Sequence, residues 1–164
     1  MASLTYIDFN SKGFWIPEAF VEVLSEYICE IFEVHEISTF SINLQRLYRN
    51  CNHNRKGESI GMVDISFDST ITNVTDKATL IDVLNQTKSL ITSKGQELSI
   101  NTLNEFENMK TSDAFKSWWV YPIKTQSLTA TIDIIVQMLN GTWTSDNYGV
   151  NYAGFPNPTK EPEI

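Results

Sequence analysis

Cys29, His35, Cys51 and His53 are the side chains of this sequence whose types could together hold a soft metal ion. Their spacings, C-x5-H and C-x-H, match no structural zinc pattern, and Cys29 would have to leave an apolar helix-like stretch to ligate. Asp64-x-Ser66-x-Asp68 has the alternation that opens a calcium loop. Ser69 stands where glycine must make the sharp turn, and Thr75 where a glutamate must close the site. No metal and no cofactor is therefore expected. There is no G-x-S-x-G, no cysteine in an electropositive setting, and the seven glycines are scattered rather than gathered into a phosphate loop. Twenty Asp+Glu allow many glycosidase-like carboxylate pairs, but nothing singles one out. The expectation is a protein that is not an enzyme. The alternative is a small carboxylate-dependent enzyme assisted by His35 or His53.

The arrangement of charge is more informative. Between Lys12 and Arg46 there is no lysine or arginine, while Glu18, Glu22, Glu26, Glu30, Glu33 and Glu36 all fall there. The first four recur every four residues, which places them in one row along a helix. Like charges at that spacing cost about 0.2–0.5 kcal/mol per contact, so the row costs roughly 1 kcal/mol. Four carboxylates spread over about 18 Å of helix cannot converge on one ion. Either the row is a solvated face, or it meets cations on another molecule. The second reading makes Glu22, Glu26, Glu30 and Glu33 partner-binding residues, with Asp64 and Asp68 beside them. Trp118-Trp119-Val120-Tyr121 is the densest aromatic cluster. Successive residues point different ways, so the cluster cannot all enter one core. Trp119 and Tyr121 are taken as candidate anchors for a partner, because Trp and Tyr dominate interface hot spots. The competing expectation buries one tryptophan and lays the other under the C-terminal tail.

These residues need helices to position them. Pro17 suits the first helical position, and Phe20, Val23, Leu24, Tyr27, Ile28, Ile31 and Phe32 give a wide apolar face to about Val34. A second helix is expected from Ser38 or Thr39, with apolar spacing to Cys51, and Asn50–Gly57 reads as its termination and a polar loop. In residues 60–68, Val63, Ile65 and Phe67 alternate with Asp64, Ser66 and Asp68 as in a strand with one wet face, while Ile60, Val63 and Phe67 would also suit a helix; the alternation tips the reading slightly to strand. Thr75 or Asp76 should cap a third helix that closes at Lys94-Gly95. A short fourth helix should run from Ile100 to Met109, with a further turn from Ser112 to Trp118. The last helix, about Ser127 to Leu139, ends at Asn140-Gly141. From Thr142 onward the Pro, Gly and Asn content forbids regular helix. The aromatic residues there should hold the tail on the body to about Pro158.

The expected fold is mainly α: a single-domain bundle of five to six helices over residues 1–158, with at most a short strand or hairpin, and a frayed tail at 159–164. A chain of 164 residues with 41% hydrophobic content can bury a core without staples. A net charge of −8 argues against direct nucleic-acid binding or an anionic membrane surface, and suits a basic partner. The opening residues have no basic start and no continuous apolar stretch, so an export signal is not expected. Two cysteines form no framework, and a cytoplasmic protein with reduced thiols is expected.

The run Tyr6-Ile7-Asp8-Phe9-Asn10-Ser11-Lys12-Gly13-Phe14-Trp15-Ile16-Pro17-Glu18, with the glutamate-rich helix after it, resembles immunity proteins of bacterial contact-dependent growth inhibition. In particular it resembles those paired with ribonuclease-type toxin domains. The resemblance covers about the first third of the chain and carries over no binding residues. It implies a cytoplasmic antitoxin, monomeric in a 1:1 complex, that neutralises a basic toxin domain by covering its active site. A helical oligomerisation or adaptor subunit is a further alternative.

Overall fold

The structure is a computed structural model that describes residues 4–59, 61–116 and 118–150. Helices account for most of it. They are α1 (Glu18–Val34), α2 (Ile42–Arg55), the short α3 (Phe67–Thr70), α4 (Val74–Ser93), α5 (Ile100–Asn108) and α6 (Thr125–Asn140). Among the described residues there are also five strands: β1 (Leu4–Phe9), β2 (Lys12–Pro17), β3 (Glu97–Leu98), β4 (Ile123–Lys124) and β5 (Tyr148–Gly149). The mainly-α class holds, with more sheet than a short hairpin.

Helix α1 lies at the centre because its apolar face is wide. Phe20, Leu24, Tyr27, Ile28 and Phe32 are buried against α2, α4 and α5, and α4 packs on α6. Polar side chains cap the starts of α2, α4 and α5. Ser41 Oγ accepts from the Leu44 amide, and Ser99 Oγ from the Thr102 amide. Asn73 Oδ1 accepts from the Asp76 amide, so α4 begins ahead of the Thr75 or Asp76 cap expected for it. Gly141 takes φ 74° and closes α6 as a left-handed cap.

Two corrections concern extended chain. Residues before Pro17 form a hairpin that the sequence reading did not place. β1 and β2 pair antiparallel from Leu4↔Pro17 to Phe9↔Lys12 around Asn10-Ser11. Both turn residues have positive φ, 50° and 66°, as a tight hairpin requires. Ile7, Phe9, Phe14 and Ile16 point into the core. β5 adds to β2 in parallel, with Trp15 opposite Gly149. The Trp143 indole donates to the Gly13 carbonyl at 3.0 Å, so the chain after α6 does lie on the body. Residues 151–164, which hold the rest of the expected tail, lie outside the described residues.

The second correction is that residues 61–68 are not a strand; Ile60 lies outside the described residues. Val63, Ile65 and Phe67 are buried and their neighbours are wetter, so the alternation is real. No ladder forms, because side chains take the carbonyls instead. Thr5 Oγ1 donates to Val63 O, Asn54 Nδ2 to Asp64 O and Asn50 Nδ2 to Ile65 O. Ser66 then takes a left-handed backbone (φ 62°), and α3 begins at Phe67.

Candidate functional site

The glutamate row exists as a row, but it is not uncompensated. Glu22 is buried, and its carboxylate contacts the Lys110 ammonium, which reaches in from beyond the end of α5. Lys110 also lies 2.6 Å from Glu107. Burial outweighs the lysine and keeps the Glu22 carboxyl above its usual range. Glu26 is half-buried and 3.7 Å from the Arg55 guanidinium. Glu33 is exposed, contacts the same guanidinium, and accepts the Tyr48 hydroxyl at 3.0 Å. Glu30 is half-buried beside Tyr27, Lys94 and Glu97. The idea of a bare anionic face along α1 therefore fails for Glu22, Glu26 and Glu33. Their cations come from the end of α2 and from beyond α5, too far along the chain for local spacing to reveal.

Asp64 and Asp68 fare differently. Asp64 is half-buried and accepts the Ile65 amide at 2.7 Å and the Ser66 hydroxyl at 2.8 Å. Asp68 is exposed and accepts the Asn10 amide at the hairpin turn, at 3.0 Å. This bond brings α3 against β1, where Asp8 sits half-exposed. Desolvation, then Asp68 and Asp64 in turn, push the Asp8 carboxyl above its ordinary value. None of the three forms an ion pair with a cation of this chain among the described residues. They do not make a metal-holding group either, so they offer separate carboxylates rather than a cage. Tyr6 lies two residues from Asp8 along β1, and its ring packs on Trp15 with centroids 5.0 Å apart. The sequence reading missed Asp8. Its signal was its place two residues after Tyr6 in a segment that had no assigned structure.

Trp119 and Tyr121 separate. Trp119 is half-buried and clasped by Asn104, whose Oδ1 accepts its amide at 2.9 Å and whose Nδ2 donates to its carbonyl at 3.2 Å. The Trp119 indole donates to Glu107 at 3.1 Å. Trp118, Val120 and Tyr121 are 65%, 69% and 77% exposed. Trp119 is the tryptophan that packs partly against the core, and Trp118 is exposed; the tail expected over it lies, from residue 151 on, outside the described residues.

The two cysteines are buried and free, and burial pushes both thiols up, Cys51 to about 12. The histidines face elsewhere, His35 Nε2 to Gln86 at 2.6 Å and His53 Nδ1 to Glu58 at 2.6 Å. Among the described residues no helix is long and apolar enough to cross a membrane. Comparison of the chain with family models, with curated proteins and with solved structures finds no match.

Proposed function

We propose that this chain is a binding module that neutralises a basic partner, an antitoxin of the contact-dependent growth inhibition kind set against a ribonuclease-type toxin domain. The observation that carries the reading is the Asp8–Asp64–Asp68 patch: three carboxylates gathered from β1, the 62–66 segment and α3, without a cation of their own among the described residues. The hairpin that carries Tyr6, Asp8 and Trp15 is also the stretch that resembles the immunity proteins. A nuclease domain must hold phosphates with cations, and a carboxylate face can occupy the same field. The docking face accordingly shifts from the glutamate row to the hairpin and α3, with the Tyr6–Trp15 pair as its apolar part. The protein acts in the cytoplasm as a monomer, one copy per toxin domain.

The test is co-expression with ribonuclease-type toxin domains of contact-dependent growth inhibition systems. A complex with the mass of one copy of each, whose affinity falls as salt rises, supports the reading. No complex at low salt would overturn it. A second reading, self-association through Trp118, Val120 and Tyr121, is favoured by their exposure. It requires a dimer mass in solution that reverts to monomer in Trp118→Ser/Tyr121→Ser.

A further inference from the structure

The solvent side of α2 carries Arg46, Arg49, Asn50 and His53 at i, i+3, i+4 and i+7, so they form one stripe. Ser69 and Thr70 of α3 form the facing wall, and the groove between has a volume of about 330 Å³. In a chain with twenty acidic and twelve basic side chains, most arginines would be expected to find a carboxylate. Arg55 finds two, yet neither Arg46 nor Arg49 forms an ion pair with any carboxylate among the described residues. The acids nearest to the groove are not paired with either arginine: Glu58 is held on His53 Nδ1 at the groove's end, and Asp68, next to Ser69 in the chain, is turned to the Asn10 amide. Two neighbouring guanidiniums without an acid repel one another, and an oxyanion between them removes that cost.

We infer that the α2–α3 groove is a binding site for a phosphate group, gripped by the Arg46 and Arg49 guanidiniums. Guanidinium is planar and weakly hydrated, and its paired N–H groups match two oxygens of one phosphate. The Thr70 and Ser69 hydroxyls both donate to Ser66 O, at 2.8 and 3.1 Å, so the two arginines supply the grip on the anion. One Nδ2 hydrogen of Asn50 goes to Ile65 O, and the second remains for a ligand. The groove is larger than a bare phosphate, so it has room for whatever bears the group. This site is independent of the toxin-facing patch, and either can fail without the other.

The experiment is a titration of the full chain with inorganic phosphate, and separately with AMP, followed by amide NMR shifts at matched ionic strength. Saturable shifts centred on residues 46–53 and 69–70, weakened about tenfold or more in Arg46→Gln/Arg49→Gln, are expected. AMP binding more tightly than phosphate identifies a nucleotide as the source, and equal affinity identifies the free ion. Arg49→Lys, which keeps the charge and loses the fork, should fall between wild type and the double variant. Shifts that do not saturate at millimolar phosphate, or a double variant that titrates like wild type, would overturn the site.

Discussion

Lys110 joins three parts of the fold through one ammonium group. Its side chain runs past Gly57, where a Cβ would come within 3.0 Å of Lys110 Cδ, and ends between Glu22 and Glu107. The ammonium thus ties α1 to α5, and through Glu107 to the Trp119 indole. Removing one partner of a buried ion group leaves the others without compensation. Lys110→Met should therefore cost about 3–5 kcal/mol in denaturant unfolding. A change below about 1 kcal/mol would show that the group is not closed in solution. The Glu22 carboxyl is raised in the fold, so the folded chain holds that proton at a pH where the unfolded chain has released it. Its contribution to stability is present below the ordinary carboxylate range and is lost as pH rises through the raised value. Glu22→Gln should remove that loss, and its stability relative to wild type should climb across this window and then level off. Parallel pH curves for the two proteins would contradict the assignment.

At the scale of elements, the helices were legible because apolar spacing runs through α1, α4 and α6, and Gly95 and Gly141 mark where the last two close. The hairpin was not, because its turn is Asn10-Ser11 rather than Asn-Gly, and its strands lie in a stretch read for an export signal and a family resemblance but not for periodicity. The strand expected at residues 60–68 failed for the opposite reason. The alternation was visible, but the distant Thr5 and the asparagines of α2 that take its carbonyls were not. Gly13 makes the hairpin sensitive to one methyl group. A Cβ there would sit 2.2 Å from Ile7 O, so Gly13→Ala should destabilise by about 1–3 kcal/mol, read from the denaturation midpoint. The Asn104 clasp gives a second handle. Asn104→Ala removes both bonds to the Trp119 backbone and should cost about 1–3 kcal/mol, with tryptophan emission shifting to the red as Trp119 loosens. Unchanged emission would mean that the Glu107 bond alone holds the indole.

At the scale of the whole molecule, a net charge of −8 is distributed unevenly between paired and unpaired acids. The glutamate row drew attention in the sequence because its neighbours in the chain lack cations. Folding supplies those cations from Arg55 and Lys110. The reverse happens at Asp8, Asp64 and Asp68, which are separated in sequence and brought together by the packing of α3 on β1. Local charge spacing thus found acidic segments correctly but misjudged which of them stay available to a partner. A direct test measures the association rate of the chain with a ribonuclease-type toxin domain that it captures on co-expression, across a salt series. Asp8→Asn/Asp64→Asn/Asp68→Asn should slow association about tenfold or more at low salt and flatten the salt dependence, while Glu22→Gln/Glu26→Gln/Glu33→Gln leaves both nearly unchanged. If the aspartate variant associates as fast as wild type with the same salt dependence, or the glutamate variant is the one that slows, the hairpin–α3 face is not where the partner docks.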